Sequence, residues 1–289
     1  MNSSVEQLTN RGPFPAGLFI TDLDGTLFRS DRTAAERDLE TLVILGKKGV
    51  VRAVATGRSL FSFKRAVGDT LPVDYVIFST GAGIIHYPSG RLLRKKNLPP
   101  VAVKRSLKAL IDAGLDFMVH RPIPDNHRFA YWGNTKSHPD FIRRIQLYEK
   151  FCHALDGADG IGHAAQLLVI VHQSNAQPMI DHLRDILPQL NVIRTTSPLD
   201  GESTWIEIFH KDVSKSRAVK WLASRLGVSR ERTLSVGNDY NDTDMLQWAG
   251  SSFVVDNAPE DLKKRFPSVA SNDQCGVSEA VSRWLNERI

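Results

Sequence analysis

A chain of 289 residues with 42% apolar and 24% charged side chains has room for one large or two medium domains around a real core. Its net charge of +5 is modest, and the densest basic run, "RLLRKKN" from Arg91 to Asn97, lacks interleaved aromatics and reads as a solvated segment. No apolar run nears the ~20 residues of a membrane span, the opening residues lack the apolar stretch of a signal peptide, and Cys152 and Cys275 suit neither a disulfide scaffold nor a zinc site. The expectation is a cytoplasmic protein without nucleic-acid, membrane or obligatory protein partner, whose surplus positive charge can attract a small dianion.

In chain order, residues 1–16 read as a flexible lead-in stopped by Pro13 and Pro15. "GLFITD" (17–22) is a short apolar run bounded by turn residues, hence a buried strand. Between 33 and 49, Leu39, Leu42, Val43 and Leu45 recur at helical spacing until Gly46 or Gly49 ends the helix. "VVRAVAT" (50–56) is a second strand, "SLFSFKRAVGD" a helix opened by Ser59, and "DYVIFST" (74–80) a third strand. Strands alternating with helices of this length predict a parallel sheet.

After residue 84 the rhythm changes. A helix over "VAVKRSLKALIDAG" is followed by paired strands, "LDFMVHR" and "HRFAYWG", about the turn "PIPDN". Then come a helix from Pro139 to Leu155, the strand "AQLLVIVH", the helix "AQPMIDHLRDILPQL" and the strands "NVIRTT" and "TWIEIFH". The parallel rhythm returns with a helix over 214–227, the strand of "RTLSVGND", a helix over "NDTDMLQWAG", the strand "SSFVVD" and two closing helices. The sequence thus predicts a doubly wound α/β core, 17–84 and 208–289, with an α+β domain inserted over 85–207.

In an open α/β sheet, ligands bind beyond the carboxyl ends of the strands. Asp22-Leu23-Asp24-Gly25-Thr26 stands there after the first strand, Thr56-Gly57-Arg58 after the second, and Ser79-Thr80-Gly81-Ala82-Gly83 after the third. Gly237-Asn238-Asp239-Tyr240-Asn241-Asp242 follows the first strand beyond the insertion. Two aspartates one residue apart at a strand end are either turn formers facing water or a site for something positive. The gathering of Asp oxygens, hydroxyls and glycines at one edge favours the second. A hard cation such as Mg2+ takes oxygen ligands and keeps waters for substrate.

In this order, "DLDGT", the threonine of "ATGRS", Lys215 of "DVSKSRAV" and "GNDYND" resemble the motifs of the haloacid-dehalogenase superfamily of phosphatases. The place of the insertion and the C-terminal "DNAPEDLKKRFPSVASNDQCGVSEAV" resemble its Cof-like subclass. The resemblance implies a Rossmann-like core under an α+β cap that sets specificity. It also implies Mg2+-dependent hydrolysis of a small phosphorylated metabolite, a sugar or polyol phosphate, through an aspartyl-phosphate. Asp22 would be the nucleophile and Asp24 its acid–base partner. Thr56 would hydrogen-bond the phosphoryl oxygens, and Lys215 would hold positive charge there and orient Asp22. The metal would draw on Asp22, Asp24, Asn238, Asp239 and Asp242. Substrate would draw on Gly57, Arg58, Gly81 and Asn241, with Arg121 and His127 added from the hairpin of the cap.

The chain departs from the family's pattern twice. Asn238 stands where an aspartate is usual, which lowers the charge about the metal by one and leaves Asp239 as a substitute ligand. "STGAG" replaces the usual Asn-Gly after the third strand. Asn238 keeps open a phosphometabolite-binding regulator with weak catalysis, and a phosphotransferase or mutase fits the same residues. Trp132, Trp205, Trp221 and Trp248 read as packing residues, whereas Glu207, alternating with Trp205 along a strand, is expected to line the cleft.

Overall fold

The computed structural model describes residues 15–68, 71–133, 137–157 and 160–286; the expected lead-in lies almost wholly outside them. The described chain begins with β1 (Gly17–Thr21), α1 (Glu36–Lys47), β2 (Val50–Ala55), α2 (Leu60–Val67), β3 (Tyr75–Phe78), β4 (Gly83–His86) and β5 (Arg91–Lys95). Its middle forms α3 (Pro100–Asp112), β6 (Phe117–His120), β7 (Phe129–Trp132), α4 (Pro139–Leu147), β8 (Cys152–Ala154), β9 (Gln166–Val171), α5 (Ala176–Ile186), β10 (Leu190–Thr196) and β11 (Thr204–His210). α6 (Lys215–Leu226), β12 (Thr233–Gly237), α7 (Thr243–Trp248), β13 (Ser251–Val255), α8 (Glu260–Lys263), β14 (Ser268–Val269) and α9 (Gly276–Asn286) close it. No helix among the described residues is long and apolar enough to cross a membrane.

The larger sheet has eight strands in the order β14-β13-β12-β1-β2-β3-β4-β5. The first six run parallel, and β4 and β5 turn back antiparallel. Its apolar residues alternate as a doubly covered sheet requires. Phe19 of β1 packs with Leu42 and Leu45 of α1 and Trp284 of α9, while Leu18 and Ile20 meet Ala218, Val219 and Leu222 of α6 on the opposite face. Local signals set the helix ends. Ser59 caps α2 by accepting from the Ser62 N–H at 3.2 Å, and Ser214 caps α6 by accepting from Arg217 N–H at 3.2 Å. α1 runs through Gly46 and turns at Gly49, whose φ of +77° suits a residue without Cβ. Val43, expected on the buried face of α1, is 41% exposed, and Ile44 beside it is 47% exposed.

The smaller sheet has the order β10-β11-β9-β6-β7-β8 and is antiparallel except for β7 with β8. α3 and α5 cover one face, packing Leu107, Leu110, Ile180 and Leu183 on Ile206 and Ile208. α4 packs Phe141 on the other face with Trp205, Leu168 and Phe129. Two expectations need correction. The boundary after residue 84 falls inside β4: β4 and β5 complete the larger sheet, and β11 holds the smaller one together as far as His210. The basic run is largely solvated, as expected, and forms the edge strand β5, where Arg and Lys discourage pairing with another chain. The helix expected to reach Leu155 stops at Leu147, because Cys152–Ala154 is drawn into pairing with β7.

His120, buried in β6, lies 2.7 Å through Nδ1 from the Asn126 carbonyl, so that nitrogen donates, and its Nε2 is buried without a partner. Burial, with Arg144 nearby, holds its pKa down at about 3. The unfolded chain takes up this proton near pH 6.5 and the folded chain only near 3, so stability is lost as pH falls through that window. The limiting slope is ~1.4 kcal/mol per pH unit. Asp38 and Glu207, raised by burial, act in the opposite sense whether or not His120 is present. Thermal melts at stepped pH are therefore expected to fall less steeply between pH 6.5 and 3 in His120→Gln than in the parent. Equal slopes would remove His120 from the acid response.

Candidate active site

β1 and β12 are parallel neighbours, with Thr21 opposite Val236, so the loops that begin at Asp22 and Asn238 leave the sheet side by side. The Asp22 N–H still donates to the Val236 carbonyl at 2.9 Å, which fixes where its side chain starts. Lys215 opens α6 and is fully buried. Its Nζ donates to Asp22 Oδ1 and to Asp242 Oδ1, each at 2.6 Å. Asp242 also accepts the N–H groups of Asn238 and Asp239 on Oδ2, at 3.0 and 3.1 Å. One carboxylate thus ties the lysine to the loop after β12. Burial pushes Asp22 up to about 8 against the pull of Lys215, with Asp242 and Asp24 adding to the rise. Burial alone would lower Lys215; the two carboxylates outweigh it and raise the ammonium above its ordinary range.

Asp24 is held differently. Arg58 grips both of its oxygens, Nε to Oδ2 at 2.7 Å and Nη2 to Oδ1 at 2.6 Å, a bidentate charge-assisted pair. Arg58, expected at the substrate, here sets the direction of Asp24. Buried Thr56 accepts the Arg58 N–H on Oγ1 at 3.1 Å, which leaves its own hydroxyl proton to give. Gly57 lies beside Asn241 and Thr80, and a Cβ there would meet both only at 3.7 Å, so nothing steric demands a glycine. Gly81 needs one. Its φ is +99°, and a Cβ would run into the Ser214 carbonyl at the start of α6. Close packing against α6 therefore requires a glycine here.

The smaller sheet closes over this edge through polar contacts. Asp239 accepts from Thr196 of β10, N–H at 2.9 Å and Oγ1 at 2.8 Å. Its carboxylate therefore faces β10, against the expectation that it would replace Asn238 at a metal. Asn241 Nδ2 reaches Thr195 Oγ1 at 3.4 Å. Glu207 accepts from Thr80 at 2.9 Å and from Gln166 and Thr195 at 3.3 Å each, tying β9 and β10 to the turn after β3. The tip of the β6–β7 hairpin also docks: Asn126 Nδ2 donates to Ser79 Oγ at 2.7 Å, and His127 stacks on Phe61 of α2 at 4.3 Å. Arg121 does not join the cluster. It lies on a cavity of about 140 Å³ shared with Arg128, Lys150 and His153. Thr195, Thr196 and Gln166 were not singled out from the sequence, and no local signal marks them.

Among the described residues no three His, Cys, Asp or Glu side chains gather to hold a metal, and Arg58, Lys215 and Thr196 between them engage all four expected carboxylates, Asp24, Asp22 with Asp242, and Asp239. Mg2+ needs fewer, since it keeps several waters and takes one or two carboxylates. Asp22 Oδ2 accepts nothing from the described residues. Asn238 Oδ1 accepts from Thr26 Oγ1 at 3.0 Å, which turns the amide oxygen toward the loop after β1. With the Asp24 backbone carbonyl on that loop, the donors are all oxygen and fit a hard cation.

Residues 19–281 match the haloacid dehalogenase-like hydrolase family. The chain is 24% identical to the 5-amino-6-(5-phospho-D-ribitylamino)uracil phosphatase YwtE of Bacillus subtilis, over 92% of this chain and 96% of that one. It is also 24% identical to the HMP-PP phosphatase of Cronobacter sakazakii, over 94% and 96% of the two chains. In fold it is similar to BT1666 of Bacteroides thetaiotaomicron, with a TM-score of 0.74 at 18% identity over 96% of this chain and 98% of that one.

Proposed function

The chain belongs to the haloacid dehalogenase-like hydrolase family and is a phosphatase, and from that premise we propose that it hydrolyses a small sugar or polyol phosphate with Mg2+ through an aspartyl-phosphate. One observation carries the reading: in the buried Asp22–Lys215–Asp242 array one Asp22 oxygen is pinned by the lysine while the other accepts nothing from the described residues. The phosphoribityl group in the name of the Bacillus relative supports a polyol phosphate.

In the first step an Asp22 oxygen attacks phosphorus, the ester P–O bond breaks, and Asp24 gives its proton to the departing alcohol oxygen. In the second, Asp24 takes a proton from water as that water attacks the acyl-phosphate, and Asp22 and inorganic phosphate are released. Since Arg58 holds both Asp24 oxygens, Asp24 must loosen one of those bonds to deliver its proton. Thr56 donates a hydrogen bond from its hydroxyl to a phosphoryl oxygen, and Lys215 keeps Asp22 oriented. Held by Asp22, the Asp24 carbonyl and Asn238, Mg2+ would neutralise the dianion that an ionised Asp22 must approach.

A panel of sugar, polyol and nucleotide monophosphates tests this, with Mg2+ and with chelator. Hydrolysis of sugar or polyol phosphates that chelator abolishes is expected. Turnover that survives chelator removes the metal from the reading. Binding without turnover on any compound would favour the regulator.

A further inference from the structure

α4 supplies a side chain that the reaction above leaves unused. The Arg144 guanidinium carbon lies 4.4 Å from the ring of Trp205, 5.2 Å from Tyr148 and 5.6 Å from Phe129. Rings at its faces leave the N–H donors of a planar guanidinium pointing outward in its plane. Among the described residues those donors find no ion pair, and Nε is buried without a partner. The acids nearby are engaged elsewhere. Glu207 accepts from Thr80, Gln166 and Thr195, and Asp140 Oδ2 accepts from Ser197 Oγ at 2.8 Å and Trp205 Nε1 at 2.6 Å. Only Asp140 Oδ1, one helical turn back, is an idle acceptor on the same helix.

The position of this arginine gives it meaning. The Tyr148 carbonyl accepts the Phe151 N–H at 2.7 Å, Phe151 packs on Phe61 at 5.1 Å, and Phe61 stands three residues after Arg58, which grips Asp24. Glu207, whose charge Arg144 feels, touches Thr80 at the rim of the larger sheet. Arg144 packs on Trp205, two residues before Glu207 on the same face of β11, and so belongs to the face of the smaller sheet that meets the larger one, the face that a leaving alcohol beside Asp24 would approach. Its Nε, out of reach of water and without a partner, is costly to leave so unless something negative comes to the guanidinium.

We propose that Arg144 binds an anionic substituent of the leaving alcohol, so that the preferred substrates are phosphate monoesters with a second negative group, a carboxylate or a further phosphate. This rests on the phosphatase reading for the words "leaving alcohol", but the subsite can be tested without turnover. Calorimetry on Asp22→Asn with Mg2+ compares 6-phosphogluconate with glucitol 6-phosphate, and fructose 1,6-bisphosphate with fructose 6-phosphate. At least one doubly anionic compound should bind about 10-fold or more tightly than its neutral counterpart, as a charge-assisted pair provides. Adding Arg144→Met should erase that difference, and Arg144→Lys should keep part of it. Which pair shows the preference tells carboxylate from phosphate. Equal affinities within both pairs, or a preference that survives Arg144→Met, overturns the proposal. So does a Met variant that weakens neutral and anionic compounds alike, which would make Arg144 a structural partner of Asp140. Turnover of p-nitrophenyl phosphate by the unmutated chain reports separately: its absence beside an intact binding difference defeats the phosphatase reading and supports the subsite.

Discussion

Asp22→Asn is expected to lower turnover of p-nitrophenyl phosphate at saturating Mg2+ by on the order of 10⁴-fold or more. The same substitution should leave the melting temperature within about 2 °C of the parent. The two halves of this expectation come from one arrangement. Asn keeps the shape of the side chain and can still accept the Lys215 hydrogen bond at the position of Oδ1, so the buried array keeps its geometry. It lacks the second anionic oxygen that attacks phosphorus. No other carboxylate of the cluster stands ready to replace it: Asp24 is gripped by Arg58, Asp239 by Thr196, and Asp242 by Lys215 and two backbone N–H groups. Stability is not expected to suffer, because burial already disfavours the charged form of Asp22. A variant retaining a tenth of parental turnover would show that Asp22 is not the nucleophile.

Lys215→Met should do the reverse and damage the fold as well as the chemistry. The ammonium is fully buried and lies 2.6 Å from two carboxylates. Met matches its length and leaves both acids in the interior with no cation between them. Removing one member of a buried charged set typically costs about 3–5 kcal/mol, roughly 6–20 °C in melting temperature for a chain near this size. The double variant Lys215→Met/Asp242→Asn should recover part of the loss, since one of the stranded charges is gone. Thermal melts of the two proteins at pH 7 decide the matter. If the single variant melts within 2 °C of the parent, the lysine is not the electrostatic keystone of the site.

Much of this was legible from residue order alone. The alternation of apolar runs with amphipathic helices specified a parallel sheet, because a strand covered on both faces must be apolar throughout. Strand ends then fixed which residues could share an edge, and this brought Asp22, Thr56 and Asp242 under consideration, while Lys215 entered only through the resemblance of its motif. A cap such as Ser59 was visible because a hydroxyl before a helix satisfies a backbone N–H within three residues. All of these are local constraints, and local constraints are written in neighbouring residues.

Tertiary contact decided the rest. β4 and β5 joined the larger sheet, and β8 interrupted an expected helix, because pairing with β3 and β7 outweighed local preference. The same holds for the acids at the site. In the sequence Asp24, Asp239 and Asp242 are equivalent candidates for a cation. In space each meets a different partner, Arg58, Thr196 or Lys215, from 27 to 43 residues away. A carboxylate's role depends on the charge and the donors within a few ångströms, because Coulomb attraction and hydrogen bonding fall off steeply with distance. Only the folded chain determines which groups come that close.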